Sequence, residues 1–381
     1  MVRTLEVALI GQAFMGRAHS NAWRQATKFF DLPLEPGLHT VCGRDAAALA
    51  AFATRHGWRK RTTRWQDVAA EPEIDLVDVS TPNHLHRDMS LAMLAAGKHV
   101  ACEKPLAGTL ADAREMRDAA KSAKGRTFVW FNYRRAPAIG LAWQMMRAGR
   151  VGRVFHVRAS YLQSWGGPAT PLVWRFQKKH AGSGAHGDLN AHIVDLARFL
   201  VGEEIVEVHG AVERTFVKER AIPGTRRKGR SDVDDSVQFL ASFKGGATAS
   251  FEATRLAGGH LNDNTIEING ERGSLRWNLE SLNELWLYDA AQGPREDGWR
   301  RIVATRAGEH PYAEAWWPDG HIVGYEHTFT NQAADTLRAL GRKQPLYPLP
   351  DFADAYETQR VLEAALVAAR ERCAVKLSEV R

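Results

Sequence analysis

The chain has 381 residues, 44% hydrophobic and 25% charged, which excludes a disordered, fibrous or disulfide-stapled protein and at ~100–200 residues per domain reads as two globular domains. Lys and Arg total 51 against 44 Asp and Glu, and the net charge of +7 is mild for this length and does not by itself imply a nucleic-acid partner. Cys42, Cys102 and Cys373 lie far apart with no CxxC, the N-terminus shows no signal-peptide pattern, and no apolar run nears the ~20 residues of a membrane span, so a cytoplasmic protein without membrane contact is expected.

In chain order, short apolar runs at 7–10, 39–42, 74–79, 99–102 and 127–131 alternate with Ala-rich helical patterns at 46–56, 89–96 and 111–122. That alternation predicts a parallel sheet covered on both faces. Beyond about residue 150 the period changes to two: 154–161, 206–212, 237–243, 247–253, 265–268 and 274–279 each alternate apolar and polar side chains. Lys244-Gly245-Gly246 joins two of them as a hairpin. The pattern predicts a largely antiparallel sheet with one face packed and the other solvated or covered by a partner. Two loops are marked by Gly166-Gly167 with Pro168 and Pro171, and by the basic run 226–230 beside Pro223 and Gly224. Helical patterns at about 325–340 and 351–372 close the chain.

Gly11-Gln12-Ala13-Phe14-Met15-Gly16 follows the first strand and opens a helix. A dinucleotide turn wants glycine for the tight bend, a very small residue where the backbone nears the pyrophosphate, and glycine where helix and strand touch. Ala13 is the smallest departure from that pattern, and the helix N-terminus offers free N–H groups to an anion. At the end of the second strand Gly43 stands where an acidic ribose ligand is expected, and Arg44 follows. An arginine there could pair with a 2′-phosphate, so NADP stands beside NAD as the expected cofactor. Asp45 reads as the N-cap of the next helix.

Thr81-Pro82-Asn83-His84-Leu85-His86, Cys102-Glu103-Lys104-Pro105-Leu106 and Gly187-Asp188-Leu189-Asn190-Ala191-His192 complete a set that, with the glycine turn, resembles the glucose–fructose oxidoreductase/inositol dehydrogenase (Gfo/Idh/MocA) family over the whole chain. Phe131-Asn132-Tyr133-Arg134-Arg135, Trp174-Arg175-Phe176-Gln177-Lys178, Val233-Asp234-Asp235 and Phe251-Glu252-Ala253-Thr254-Arg255 resemble its branch of levoglucosan and glycoside 3-dehydrogenases. The resemblance implies an α/β protein. A Rossmann domain would span 1–133, and an α/β substrate-binding and oligomerisation domain with a large open, mostly antiparallel sheet would span 134–381. The last helices could pack back on the first domain. It further implies a homodimer or homotetramer formed through that sheet, and a sugar or glycoside lying between the domains. The expected nucleotide contacts are Gly11, Ala13, Phe14, Met15, Gly16, Arg44, Thr81, Asn83, His86, Glu103, Lys104, Asn132, Trp174 and Arg175.

Oxidising a secondary alcohol requires the hydroxyl proton to leave, the alkoxide to be stabilised and the hydride to reach a nicotinamide. Lys104, at the carboxyl end of a strand, can stabilise the anionic oxygen. Asp188 and His192, four apart on a predicted helix, would face the same way. His192 titrates in the range of a general base, and Asp188 could hold the hydroxyl, orient the imidazole or share the proton; which is the base stays open. The resemblance maps the family's catalytic lysine, aspartate and histidine onto these three. Tyr133, Arg134, Tyr161, Gln163, Trp174 and Arg175 could contact the sugar or simply pack at a domain seam. His19 is equally ambiguous, and Asp195 reads as structural. His84 and His86 lack the companion ligands of a metal site, so no metal is expected. Arg134, Arg175, Lys178, Lys179 and Arg255 would admit an anionic sugar. The expected function is an NAD(P)-dependent oxidoreductase moving hydride between a sugar, anhydrosugar or glycoside hydroxyl (C3 is one option) and nicotinamide. A redox-neutral glycosidase working by transient oxidation, or a non-catalytic NADP sensor, are the alternatives.

Overall fold

The computed structural model describes residues 2–380 and resolves into two units. The first comprises residues 2–135 with Gly324–Tyr356, the second Ala136–Val323 with 357–380. The sequence places the boundary near residue 133 and allows the last helices to pack back on the first domain; in the structure the segment Gly324–Tyr356 groups with the N-terminal unit.

The first unit is built on six strands: β1 (Arg3–Ile10), β2 (Leu34–Cys42), β3 (Lys60–Thr62), β4 (Leu76–Val79), β5 (His99–Cys102) and β6 (Thr127–Val129). They form one sheet in the order β3-β2-β1-β4-β5-β6, every pair parallel. This is the doubly wound order in which ligands collect outside the carboxyl ends of the strands, where the order reverses. Val7, Leu9, Val41 and Leu76 are fully enclosed, as strands covered on both faces require. Helix α1 (Phe14–Phe29) turns Ala22, Trp23 and Ala26 into the same core. Helix Tyr325–Leu340 adds Phe329, Ala333 and Leu337. Enclosing a phenylalanine such as Phe329 contributes about 1.5–3 kcal/mol.

The second unit holds β7 (Val154–Leu162), β8 (Ile205–Arg214), β9 (Glu219–Ala221), β10 (Lys228–Arg230), β11 (Ser236–Phe243), β12 (Thr248–Thr254), β13 (Asp263–Gly270), β14 (Gly273–Asn278), β15 (Glu284–Asp289), β16 (Arg300–Val303) and β17 (Val375–Lys376). Nine of them make one sheet in the order β16-β15-β14-β13-β7-β12-β11-β8-β17. Only β12 and β7 pair in parallel. Val157, Ala159, Val237, Phe239, Phe251, Ala253, Ile266 and Ile268 fill the inner face, on which helix Ala191–Val201 packs. The outer face leaves Leu240 and Val212 more than half exposed and carries a groove of about 820 Å³ lined by residues such as Arg158, Gln238, Glu252 and Arg276.

The basic run 226–230, expected to be a loop, instead enters β10, which pairs with β9 as a separate antiparallel ribbon. Strands β3, β15, β16 and β17 and helix Pro137–Arg147 also go beyond the sequence reading. Among the described residues no helix is long and apolar enough to cross a membrane.

Candidate active site

The glycine turn leaves β1 with Gly11 at φ +123°, a conformation glycine adopts readily. A Cβ there would lie 2.5 Å from Ser80 Oγ, and one at Gly16 would lie 2.2 Å from the Gly11 carbonyl oxygen. The turn therefore needs both glycines, one for the bend and one for helix-on-strand contact. Ala13 caps α1 without any side-chain hydrogen bond, so the first-turn N–H groups are left to an anion. Gln12 Oε1, buried in the same turn, has no hydrogen-bond partner. The glycine turn and the uncapped N–H groups fit a dinucleotide's pyrophosphate; the Gln12 amide oxygen, itself an acceptor, is no part of that fit. Gly43 faces the same amide: a Cβ at 43 would meet Gln12 Oε1 at 1.7 Å, so Gln12 fills the space of an acidic residue there. Arg44 is exposed, and Asp45 is an N-cap, accepting from the Ala47 and Ala48 N–H groups at 3.0 Å each.

The other nucleotide candidates of this unit follow the carboxyl ends of β4, β5 and β6. Thr81 and Asn83 come just after β4, and Asn83 opens a short 3₁₀ turn, Asn83–Leu85. His86 is fully buried. Its Nε2 is 2.9 Å from the Thr81 carbonyl and its Nδ1 is 3.1 and 3.3 Å from the Pro105 and Leu106 carbonyls. It thus ties the loop after β4 to the loop after β5. Glu103 and Lys104 follow β5, the Lys104–Pro105 bond is cis, and Glu103 Oε2 accepts from the Lys104 backbone N–H at 3.1 Å. Asn132 is buried and donates to Thr328 Oγ1 at 2.8 Å. Phe14 and Met15 open α1, where Phe14 stacks on Tyr325 at 6.3 Å. Tyr133 is buried and also near Tyr325. Arg134, a sugar-contact candidate, is buried and paired with Asp354 at 2.6 Å.

In the second unit, Asp188 and His192 do not share one regular helix. Residues His186–Asn190 form a π-helical turn, and the α-helix Ala191–Val201 starts after it. Such single wide turns are frequent at functional sites. Asp234 holds this one, accepting from the Gly184 and His186 N–H groups at 2.6 and 2.7 Å, and Asn190 donates to the Val237 carbonyl. A Cβ at Gly184 would lie 1.8 Å from the Asp234 carbonyl oxygen, so the approach depends on glycine. His192 is 6% exposed with Tyr161 at 5.8 Å between ring centroids, and Asp195 is buried one turn on.

Asp188 pairs with Arg255, a residue the sequence reading took as part of a motif and as one of the cations that would admit an anionic sugar. Arg255 Nη2 lies 2.7 Å from Asp188 Oδ2, with the arginine side chain 2% and the aspartate 25% exposed. Its guanidinium lies over Trp165 at 4.9 Å and Phe176 at 5.8 Å and reaches the Arg175 carbonyl at 3.4 Å. A second buried guanidinium, Arg220, sits 3.6 Å over Phe176 and pairs with Asp235. Trp174 packs against the Arg175 guanidinium at 4.4 Å. Tyr161 Oη and Gln163 Nε2 both donate to Asn262 Oδ1 at 2.7 Å, while Trp165 Nε1 donates to Gln163 Oε1. Asn262 and Trp165 thus join the expected residues. The anionic-sugar expectation weakens here, because Arg134 and Arg255 are already committed to carboxylates.

His39, Glu71 and Glu73 bring three ligand-type atoms within 4.8 Å of one another, and Lys60 Nζ stands 3.3 and 3.5 Å from the two carboxylates. The ammonium supplies the positive charge of that cluster.

The signature described as an oxidoreductase family with an NAD-binding Rossmann fold matches residues 5–131, and that of the GFO/IDH/MocA C-terminal domain matches residues 140–276. The chain belongs to the Gfo/Idh/MocA oxidoreductase family. It is an NAD-binding oxidoreductase. Levoglucosan dehydrogenase of Pseudarthrobacter phenanthrenivorans is 38% identical over 394 aligned positions covering 100% of both chains. An oxidoreductase domain protein from Kribbella flavida is 48% identical with a TM-score of 0.94, covering 98% of this chain and 99% of that one. A levoglucosan dehydrogenase in complex with NADH and levoglucosan is 38% identical with a TM-score of 0.94, covering 99% and 100%.

Proposed function

We propose that this chain is an NAD-dependent dehydrogenase of an anhydrosugar of the levoglucosan class, acting on a secondary hydroxyl. The observation that carries the reading is full-length likeness to a levoglucosan dehydrogenase, in sequence and in fold, with Lys104, Asp188 and His192 all present. Bound nicotinamide would supply the hydride acceptor. Gly11, Ala13 and Gly16 with the start of α1 would hold its pyrophosphate, and Thr81, Asn83, Glu103 and Asn132 would line the rest of the nucleotide. Phe14, Met15, Arg44, His86, Trp174 and Arg175 complete the proposed set, with His86 acting through the loops it ties.

Lys104 would hydrogen-bond the reacting oxygen and favour its anionic form. His192 would take the hydroxyl proton. Protonating Asp188 would discharge its ion pair with Arg255, which supports the imidazole as base and the carboxylate as the group that holds the hydroxyl. Tyr161 and Gln163, organised around Asn262, would read the remaining hydroxyls with Tyr133, Arg134 and Arg175. Three unpaired cysteines support a reducing setting, which we take to be the cytoplasm. The open outer face of the nine-stranded sheet supports assembly with a second copy into a homodimer or homotetramer.

Purified protein with NAD and a panel of anhydrosugars, free sugars and glycosides tests the reading at the nicotinamide absorbance. NADH should accumulate with levoglucosan. Aglycone release from a glycoside without net NADH would replace the dehydrogenase with a redox-neutral glycosidase.

A further inference from the structure

His19 lies on α1 with no exposed surface. Its Nδ1 is 3.0 Å from Asp78 Oδ1 and its Nε2 is 3.0 Å from Glu103 Oε1. The ring stacks on Trp130 at 4.3 Å and meets Phe329 at 5.5 Å. Asp78 comes from β4 and Glu103 from the end of β5, and these two carboxylates are the charged groups that act on the ring. Neither can swing away. Asp78 also accepts from Trp23 Nε1 at 2.7 Å and Trp130 Nε1 at 3.0 Å, and Glu103 Oε2 accepts from the Lys104 N–H. A neutral imidazole has a single N–H and would turn a lone pair toward one of the carboxylates, whereas an imidazolium donates to both.

We propose that His19 is held as an imidazolium and is a positioning residue: its two N–H groups bridge Asp78 to Glu103, and through Glu103 they fix the backbone from which Lys104 projects. The positioning role rests on the reading of Lys104 given under Proposed function; the charge state of the ring does not. Burial disfavours the charged ring, but the two carboxylates outweigh it and raise the imidazole to about 9. The bridge also spans two adjacent parallel strands at their carboxyl ends, where a small shift of the loop after β5 would move the ammonium away from a substrate hydroxyl.

Full-length protein labelled with [¹⁵N]histidine tests the charge, with the His19→Gln spectrum identifying the His19 signals. Both ring nitrogens should report N–H at neutral pH and titrate near pH 9. A neutral tautomer at neutral pH overturns the proposal, and this arm reads the wild-type protein. The kinetic arm compares His19→Gln with Lys104→Ala, using levoglucosan and NAD at neutral pH. His19→Gln should lower kcat by roughly tenfold or more with sugar KM nearly unchanged, and Lys104→Ala should be inactive. Unchanged kcat in a folded His19→Gln beside an inactive Lys104→Ala overturns the positioning role and leaves Lys104 as read. Wild-type kcat in Lys104→Ala overturns the reading of Lys104 and the positioning role with it, while the labelled spectrum still decides the ring's charge.

Discussion

Asp78 and Asp188 are both carboxylates joined to a cationic side chain from a distant part of the sequence, yet they sit in opposite kinds of surroundings. Asp78 has no exposed surface, and His19, Trp23 and Trp130 all bond its two oxygens. Asp188 has one oxygen on Arg255, and a quarter of its side chain is exposed. The first pairing is enclosed and joins β4 to the start of the loop after β5. The second anchors a carboxylate from behind while leaving it reachable. An ion pair thus lies in closed packing in one unit and on a carboxylate that water reaches in the other, and burial, not pairing, separates the two; in the proposed reaction the second is the group that meets substrate.

The contrast can be tested from its strongest consequence downward. His192, the proposed base, should be the most sensitive position: His192→Ala should lower kcat by about 10²–10⁴-fold with the fold intact by circular dichroism. Asp78→Asn should act on stability, at about 3–5 kcal/mol in denaturant unfolding, because it breaks a fully buried charge pair. Asp188→Asn should change stability less, because water reaches that carboxylate, while lowering kcat. Equal stability losses in the two variants would break the comparison.

Stability should also depend on pH through His19. Its folded value of about 9 lies above the ordinary 6.5, so the contribution is fully present below about pH 6.5 and is lost as pH rises through 9. The loss should be on the order of 3 kcal/mol and should vanish in a folded His19→Gln. The smallest effect belongs to Arg44, exposed beside Asp45: Arg44→Ala should leave NAD binding within about twofold and weaken only NADP, read by nucleotide titration.

The first unit was largely legible because its chemistry sits in short contiguous motifs at strand ends. Gly11 to Gly16, Asn83 and Glu103-Lys104 are where a parallel sheet must present them. The second unit was less so. Asp188 and His192 stand out as a pair, but the π-helical turn between them depends on Asp234 and Asn190 and leaves no periodic trace. Arg255 did carry a signal: Phe251 and Ala253 point inward, so Arg255, next in the alternation, is a charge on the inner face that must find a buried partner. Asp78 carried the same signal, lying between Val77 and Val79 in a strand enclosed on both faces. Asn262 sits in a loop, and its pairing with Tyr161 and Gln163 is visible only in three dimensions.

The most direct test of the account is turnover of levoglucosan with NAD by the wild-type protein and by His192→Ala, with NADH affinity measured on both. The wild type should give stoichiometric NADH, and the variant should bind NADH equally while turning over at least a hundredfold more slowly. Equal turnover by the two proteins would contradict the account.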